Sequence, residues 1–184
     1  MSKIKAVLFD FDGTLIDTNQ LVLDSWHNVY KAYGITPPAD EVLTATFGQP
    51  LEDALAEFFP EYPVEESARH YRSFQQDHFS GTARLYEGIP QLLQELKARG
   101  YLLAIVTSRL WASLKSNKYE FHQQDLFDAI VSQEDTDVHK PQPEPCLIAL
   151  RKLGISPEEA IMVGDSRLDI LCGKNAGCKT ALVG

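Results

Sequence analysis

Cysteine is scarce: Cys146, Cys172 and Cys178 are the only three in 184 residues. Their odd number, with no Cys-x-x-Cys pair and no zinc-type histidine spacing, argues against a disulfide frame or a metal knuckle and leaves them as small apolar core fillers. Long hydrophobic runs are missing as well. Nothing approaches the ~18 apolar residues that a spanning helix needs, and Met1-Ser2-Lys3-Ile4-Lys5 lacks the apolar stretch of a signal peptide, so a cytoplasmic protein without a membrane partner is expected. Positive charge is in deficit, with 17 Lys and Arg against 26 Asp and Glu and a formal charge of -9, which disfavours nucleic acid as a partner. That deficit does not exclude a small anion, because charges are screened beyond ~8 Å at physiological salt and local cations and amides decide pocket binding. Internal repeats and low-complexity segments are also lacking.

What is present suffices for one substantial core, or a core with a small appended bundle: 44% of the residues are hydrophobic. The most informative stretch is Val7-Leu8-Phe9-Asp10-Phe11-Asp12-Gly13-Thr14-Leu15. Here a strand-like apolar run delivers two carboxylates, two residues apart and therefore on one side, into a Gly-Thr turn. An ordinary Asp-Gly turn with solvated acids is the plain alternative.

Residues 4–10 read as a buried strand, and residues 17–82 then carry helical patterns only. Val22, Trp26, Val29, Tyr30 and Tyr33 recur at helical spacing up to Gly34. Two shorter helical stretches, 40–46 and 51–59, flank Phe47-Gly48-Gln49-Pro50, and a longer one runs from Val64 to Phe79. The segment reads as a helical insertion whose own core holds Trp26, Tyr30, Phe58, Phe59, Tyr71 and Phe74. After Gly88 the pattern alternates: helix 90–99, strand 101–107, a polar and weakly helical stretch 110–123, strand 128–131, helix 143–153, strand 161–164, helix 166–175 and strand 179–183. Such alternation predicts a doubly wound parallel sheet with right-handed crossovers, helices on both faces and ligands at the carboxyl ends of the strands. The expected organisation is an α/β core of residues 1–16 and 83–184 with a small all-helical domain at 17–82.

Four polar stretches then fall at or beside one sheet edge. Asp10 and Asp12 follow the first strand, Thr107-Ser108 follows the second core strand, Gly164-Asp165-Ser166-Arg167-Leu168-Asp169 follows a third, and His139-Lys140-Pro141-Gln142-Pro143 precedes a helix. Each has an everyday use when taken alone: helix cap for Thr107-Ser108, solvated charge for Lys140, capping turn for Asp165. Together they suit phosphoryl transfer. Several converging carboxylates repel one another unless a divalent cation sits among them, and an all-oxygen site suits Mg²⁺. One carboxylate is then available to attack phosphorus while a second moves the proton, and the Thr107-Ser108 hydroxyl and amides with the Lys140 ammonium would hold the phosphoryl oxygens. Arg109, next along the chain, is a candidate for a phosphate or a second anionic group, a surface ion pair being the alternative.

The order Asp-Phe-Asp-Gly-Thr-Leu, Val-Thr-Ser, Lys-Pro-Gln-Pro, Gly-Asp-Ser-Arg-Leu-Asp resembles the four motifs of the haloacid-dehalogenase-like phosphohydrolases over nearly the whole chain. The resemblance implies a Rossmann-like core with a small helical cap and hydrolysis of small phosphate esters or anhydrides through an aspartyl-phosphate. It further implies Asp10 as nucleophile, Asp12 as general acid/base with its backbone carbonyl on Mg²⁺, Thr107 and Lys140 on the phosphoryl group, Asp165 as metal ligand, and Asp169 in the metal shell or orienting Lys140. Leu15-Ile16-Asp17-Thr18-Asn19, Tyr86-Glu87-Gly88 and the segment from Pro157 to Asp165, with Gly173-Lys174-Asn175-Ala176-Gly177, are similar to the phosphoglycolate-phosphatase group and more so to its inorganic-pyrophosphatase relatives. Gly48 and Gln49 match the cap loop that faces substrate in such enzymes, a helix connector being the alternative. Members of this group are expected to continue beyond the strand ending at Val183 with a further turn, helix and short strand, whereas this sequence stops at Gly184.

The expected partner is therefore a small phosphorylated metabolite or pyrophosphate, with oligomeric state left open. A sugar-phosphate mutase on the same fold and a catalytically silent regulatory relative are the competing readings. A dehalogenase is disfavoured, because that chemistry needs neither Asp12 as an acid nor a metal.

Overall fold

A computed structural model describes residues 3–47, 49–116 and 125–184. In chain order its elements are β1 (Ala6–Phe9), β2 (Ile16–Asp17), α1 (Asn19–Tyr33), α2 (Asp40–Thr44), α3 (Leu51–Phe58), α4 (Val64–Thr82), β3 (Arg84–Leu85) and α5 (Ile89–Ala98). They continue with β4 (Leu102–Val106), α6 (Trp111–Ser116), β5 (Ala129–Val131), α7 (Glu144–Leu153), β6 (Ala160–Gly164), α8 (Arg167–Asn175) and β7 (Lys179–Leu182). The chain forms two compact units, one of Met1–Asp17 with Leu85–Gly184 and one of Thr18–Arg84. No helix among the described residues is long and apolar enough to cross a membrane.

The first unit is built on a five-stranded sheet of order β5-β4-β1-β6-β7, parallel at every pairing. All four residues of β1 are buried, as a strand covered on both faces requires. Phe9 lies opposite Ile105 on one side and Val163 on the other, so Asp10, Thr107 and Asp165 each follow the carboxyl end of neighbouring strands. The order turns around β1, with β4 on one flank and β6 on the other, which makes this edge the topological switch point where α/β sheets take ligands. Strand alternation sends Ala6, Leu8, Ala104, Val106 and Met162 into one core with Cys146 and Leu150 of α7 and Cys172 of α8. Cys146, Cys172 and Cys178 are free and buried. Gly154, in the left-handed region at φ 66°, ends α7, matching the stop expected from the sequence.

The second unit is helical. α1 ends at Gly34, whose N–H donates to the Lys31 and Tyr30 carbonyls. Trp26, Val29 and Tyr30 of α1 share a core with Leu55 of α3, with Phe59 just after α3, and with Tyr71 of α4. Phe58 packs against that cluster, but Phe74 does not join it and stacks instead on exposed His78, ring centroids 4.0 Å apart. Helical spacing placed Phe74 one turn beyond Tyr71, where α4 has already passed the aromatic cluster.

Two details depart from the expected elements. Ile16–Asp17 and Arg84–Leu85 form a two-stranded ribbon where the chain leaves and rejoins the first unit. Strands of two residues carry no period-2 signal, so the sequence gives no warning of them. The weakly helical stretch 110–123 contains α6, while residues 117–123 lie outside the described residues.

Candidate active site

Four loops at the carboxyl ends of the strands build the site. The Asp10 N–H donates to the Val163 carbonyl at 2.9 Å, tying the end of β1 to β6. Gly13 then turns the chain with φ 74°, and a Cβ on it would lie 2.2 Å from Asp165 Oδ2. Only glycine meets both demands, the positive φ and the close approach of a carboxylate. Thr14 Oγ1 donates to Asp165 Oδ1 at 3.2 Å and so orients the acid from across the edge.

Lys140 is the hub. Its Nζ donates to Asp10 Oδ1 at 2.8 Å and to Asp169 Oδ1 at 2.6 Å, with only 4% of its side chain exposed. Burial alone would lower the lysine pKa, but the Asp10 and Asp169 carboxylates outweigh it, so Lys140 is held firmly as an ammonium. Asp10 faces the opposite balance. Burial pushes its pKa up to about 8 against the pull of Lys140, with Asp169 and Asp12 adding to the rise. Asp165 is exposed yet also raised, by desolvation and then by the charge of Asp169. With all three carboxylates ionised, the centre would carry more negative charge than one ammonium balances.

Asp169 is fixed by a reciprocal cap at the start of α8. Its Oδ2 accepts from Ser166 N–H at 3.0 Å and from Ser166 Oγ at 2.6 Å, while its own N–H donates back to Ser166 Oγ at 3.2 Å. Asp10, Asp165 and Asp169 each present a carboxylate oxygen within 4.8 Å of the other two. Three hard oxygen donors in surplus over one cation suit a divalent metal of the Mg²⁺ or Ca²⁺ kind.

Asp12 points elsewhere. Its Oδ2 and Oδ1 accept from Arg109 Nε at 3.0 Å and Nη2 at 2.7 Å, so its side chain is not in the carboxylate cluster. Arg109 is buried and therefore not the surface ion pair weighed from the sequence. Thr107 is buried and its Oγ1 accepts the Arg109 N–H at 3.1 Å; Ser108 follows it half-buried. Eight of the sequence-derived site residues therefore lie in one unit around one edge: Asp10, Asp12, Thr107, Ser108, Arg109, Lys140, Asp165 and Asp169. Gln49 belongs to the other unit, where its N–H donates to the Thr46 carbonyl at 3.1 Å. Gly48 lies outside the described residues.

Sequence reading missed Thr14, Ser113 and Ser166, the hydroxyls that orient the charged groups. A signal existed for one of them: Ser166-x-x-Asp169 is a capping-box spacing.

A doubly wound parallel sheet with a buried carboxylate–lysine centre at its switch point is an α/β architecture that takes ligands at that edge. The family model for haloacid dehalogenase-like hydrolases matches residues 7–183, and the chain belongs to that family. Among similar proteins, the pyrophosphatase PpaX of Bacillus cereus (strain AH820) is 40% identical over 182 residues, covering 98% of this chain and 83% of that one. A Lactobacillus plantarum crystal structure, provisionally described as a phosphoglycolate phosphatase, matches with a TM-score of 0.88 at 28% identity, over 98% of this chain and 86% of that one. CbbY from Rhodobacter sphaeroides, solved in complex with phosphate, matches with a TM-score of 0.83 at 25% identity, over 96% and 84% of the two chains.

Proposed function

We propose that the protein is a Mg²⁺-dependent phosphohydrolase of small phosphate esters or anhydrides, with pyrophosphate as its first candidate substrate. The observation that carries this reading is the buried Lys140 ammonium bridging Asp10 and Asp169, with Asp165 completing a cluster of three oxygens. The likeness to a pyrophosphatase at 40% identity supports the anhydride, and the provisional phosphoglycolate phosphatase supports testing an ester beside it.

In this reading Asp10 attacks phosphorus through a carboxylate oxygen, and the bond to the leaving oxygen breaks as the aspartyl-phosphate forms. Asp12, once released from the Arg109 fork and protonated from solvent, gives the leaving oxygen that proton and later takes one from the water that cleaves the intermediate. Lys140, Thr107 and Ser108 hold the phosphoryl oxygens as charge develops on them. Asp10, Asp165 and the Asp12 backbone carbonyl would hold Mg²⁺, which neutralises charge on the phosphoryl group and between the carboxylates when bound. Asp169 serves as the orienting partner of Lys140, since each of its oxygens already accepts hydrogen bonds. By its insertion after the first motif, the helical unit takes the substrate-selecting role implied by the family resemblance. The free buried cysteines fit a working place in the reducing cytoplasm.

The test is phosphate release with Mg²⁺ from pyrophosphate, phosphoglycolate and a sugar phosphate, comparing wild type with Asp10→Asn. Wild type is expected to release phosphate and a folded D10N to release none; turnover by D10N overturns the nucleophile assignment. A sugar phosphate rearranged without net phosphate release would establish the mutase instead.

A further inference from the structure

Arg109 engages Asp12 with more care than a structural ion pair needs. Its guanidinium donates through Nε to Asp12 Oδ2 at 3.0 Å and through Nη2 to Oδ1 at 2.7 Å, so the fork takes both carboxylate oxygens. The fork is itself held. Nη1 donates to Ser113 Oγ of α6 at 2.7 Å, and the guanidinium carbon lies 5.9 Å from the centre of the Phe11 ring. The backbone is fixed at both ends, Arg109 N–H donating to Thr107 Oγ1 at 3.1 Å and Gln133 N–H donating to the Arg109 carbonyl at 3.1 Å. Only 7% of the arginine side chain is exposed, against 31% of Asp12, so the aspartate is the half of the pair that faces solvent.

An aspartate with both oxygens in a fork has neither turned to a leaving group. A planar guanidinium fits a phosphate or a second carboxylate as well as it fits Asp12, because all three present two oxygens at similar spacing. A neutral alcohol offers no such group. We propose that Arg109 is a positioning residue that holds Asp12 aside until a leaving group bearing its own negative charge takes over the fork, so that the enzyme selects anionic leaving groups over neutral ones. This rests on the reading of Asp12 given above and extends it to substrate class: the second phosphate of a diphosphate or the carboxylate of a phosphorylated acid, in preference to the phosphate ester of an uncharged alcohol.

The test compares kcat/KM for pyrophosphate and phosphoglycolate with kcat/KM for glycerol phosphate, in wild type, Arg109→Gln, Arg109→Lys and Ser113→Ala. Wild type is expected to favour the anionic leaving groups, and R109Q to reduce that ratio about tenfold or more, the scale of a lost charge-assisted bidentate contact. R109K keeps the charge without the fork and is expected to recover part of the ratio, while S113A, which loosens the fork, shifts it the same way by less. Should R109Q not fold, the R109K ratio decides. Equal losses on all three substrates, or an unchanged ratio, overturn this inference while leaving the hydrolase reading intact. A wild-type enzyme that releases no phosphate from any of them overturns both.

Discussion

Gly13 and Asp165 show how little room the site leaves. At φ 74° a side chain at position 13 is strained, and its Cβ would sit 2.2 Å from Asp165 Oδ2, so the carboxylate has to swing away. Gly13→Ala should therefore cost about 1–2 kcal/mol of stability through the backbone alone and also remove Asp165 from the cluster. Differential scanning fluorimetry with and without MgCl₂ checks this. Wild type should gain melting temperature on adding Mg²⁺, and both G13A and Asp165→Asn should lose the gain; a full gain in D165N would show that Asp165 is not a ligand. Lys140→Met is the complementary change. It leaves Asp10 and Asp169 buried without their shared ammonium, and phosphate release should fall at least about a hundredfold, a loss of transition-state stabilisation of about 3 kcal/mol. Asp10 and Asp165 were legible in the sequence because strand ends in a doubly wound sheet must share an edge, whereas Lys140 was set beside that edge by its place just before a helix. The rotamer of Asp12 was not legible: nothing in the spacing of Asp10 and Asp12 says that one turns to Lys140 and the other to Arg109.

Between elements, one acid links three of them. Asp128, just ahead of β5, takes Lys97 of α5 on both oxygens at 2.8 Å, and its Oδ2 also accepts the Leu103 N–H of β4 at 2.9 Å. Burial would raise its pKa, but the Lys97 bond and the Leu103 N–H overcome that and hold the carboxyl below its ordinary value. The folded pKa is thus depressed, and the stability it brings is present above the unfolded value of 3.8 and lost as pH falls through the folded one. Asp128→Asn should lower the melting temperature at pH 7 by about 3 °C, and the gap to wild type should narrow as pH falls below 3.8. A gap that does not narrow in acid would assign the effect to shape and not to charge. Elements of this size were readable wherever a long apolar period ran into a glycine stop, as at Gly34 and Gly154. The β2–β3 ribbon was not readable, because its pairing depends on the meeting of Leu15 and Tyr86, far apart in sequence, the Tyr86 N–H donating to the Leu15 carbonyl at 3.2 Å.

At the scale of the molecule, each unit has a core of its own. The cluster around Trp26, Tyr30, Phe59 and Tyr71 draws on residues of Thr18–Arg84, and the cluster beneath the sheet draws on the other unit. The insertion leaves and returns at adjacent points, pinned by the Leu15–Tyr86 hydrogen bond, so little further loop closure is needed for it to fold on its own terms. Phe59 is the natural probe: it is 2% exposed and packs on Tyr30, Trp26 and Tyr33 with ring centroids 4.7, 6.2 and 5.6 Å away. Phe59→Ala removes a fully buried ring and should cost about 3–5 kcal/mol. If stability is held locally, amide exchange in α1, α3 and α4 should speed up by about a hundredfold or more while the amides of β1, β4 and β6 keep their protection. Hydrogen–deuterium exchange resolved by peptide reads both units in one experiment. Equal acceleration in the sheet would mean that the helical unit and the core unfold as one, and the insertion could then not vary without taxing the sheet edge. Protection retained in the sheet would leave the four loops at its carboxyl edge indifferent to what the insertion becomes.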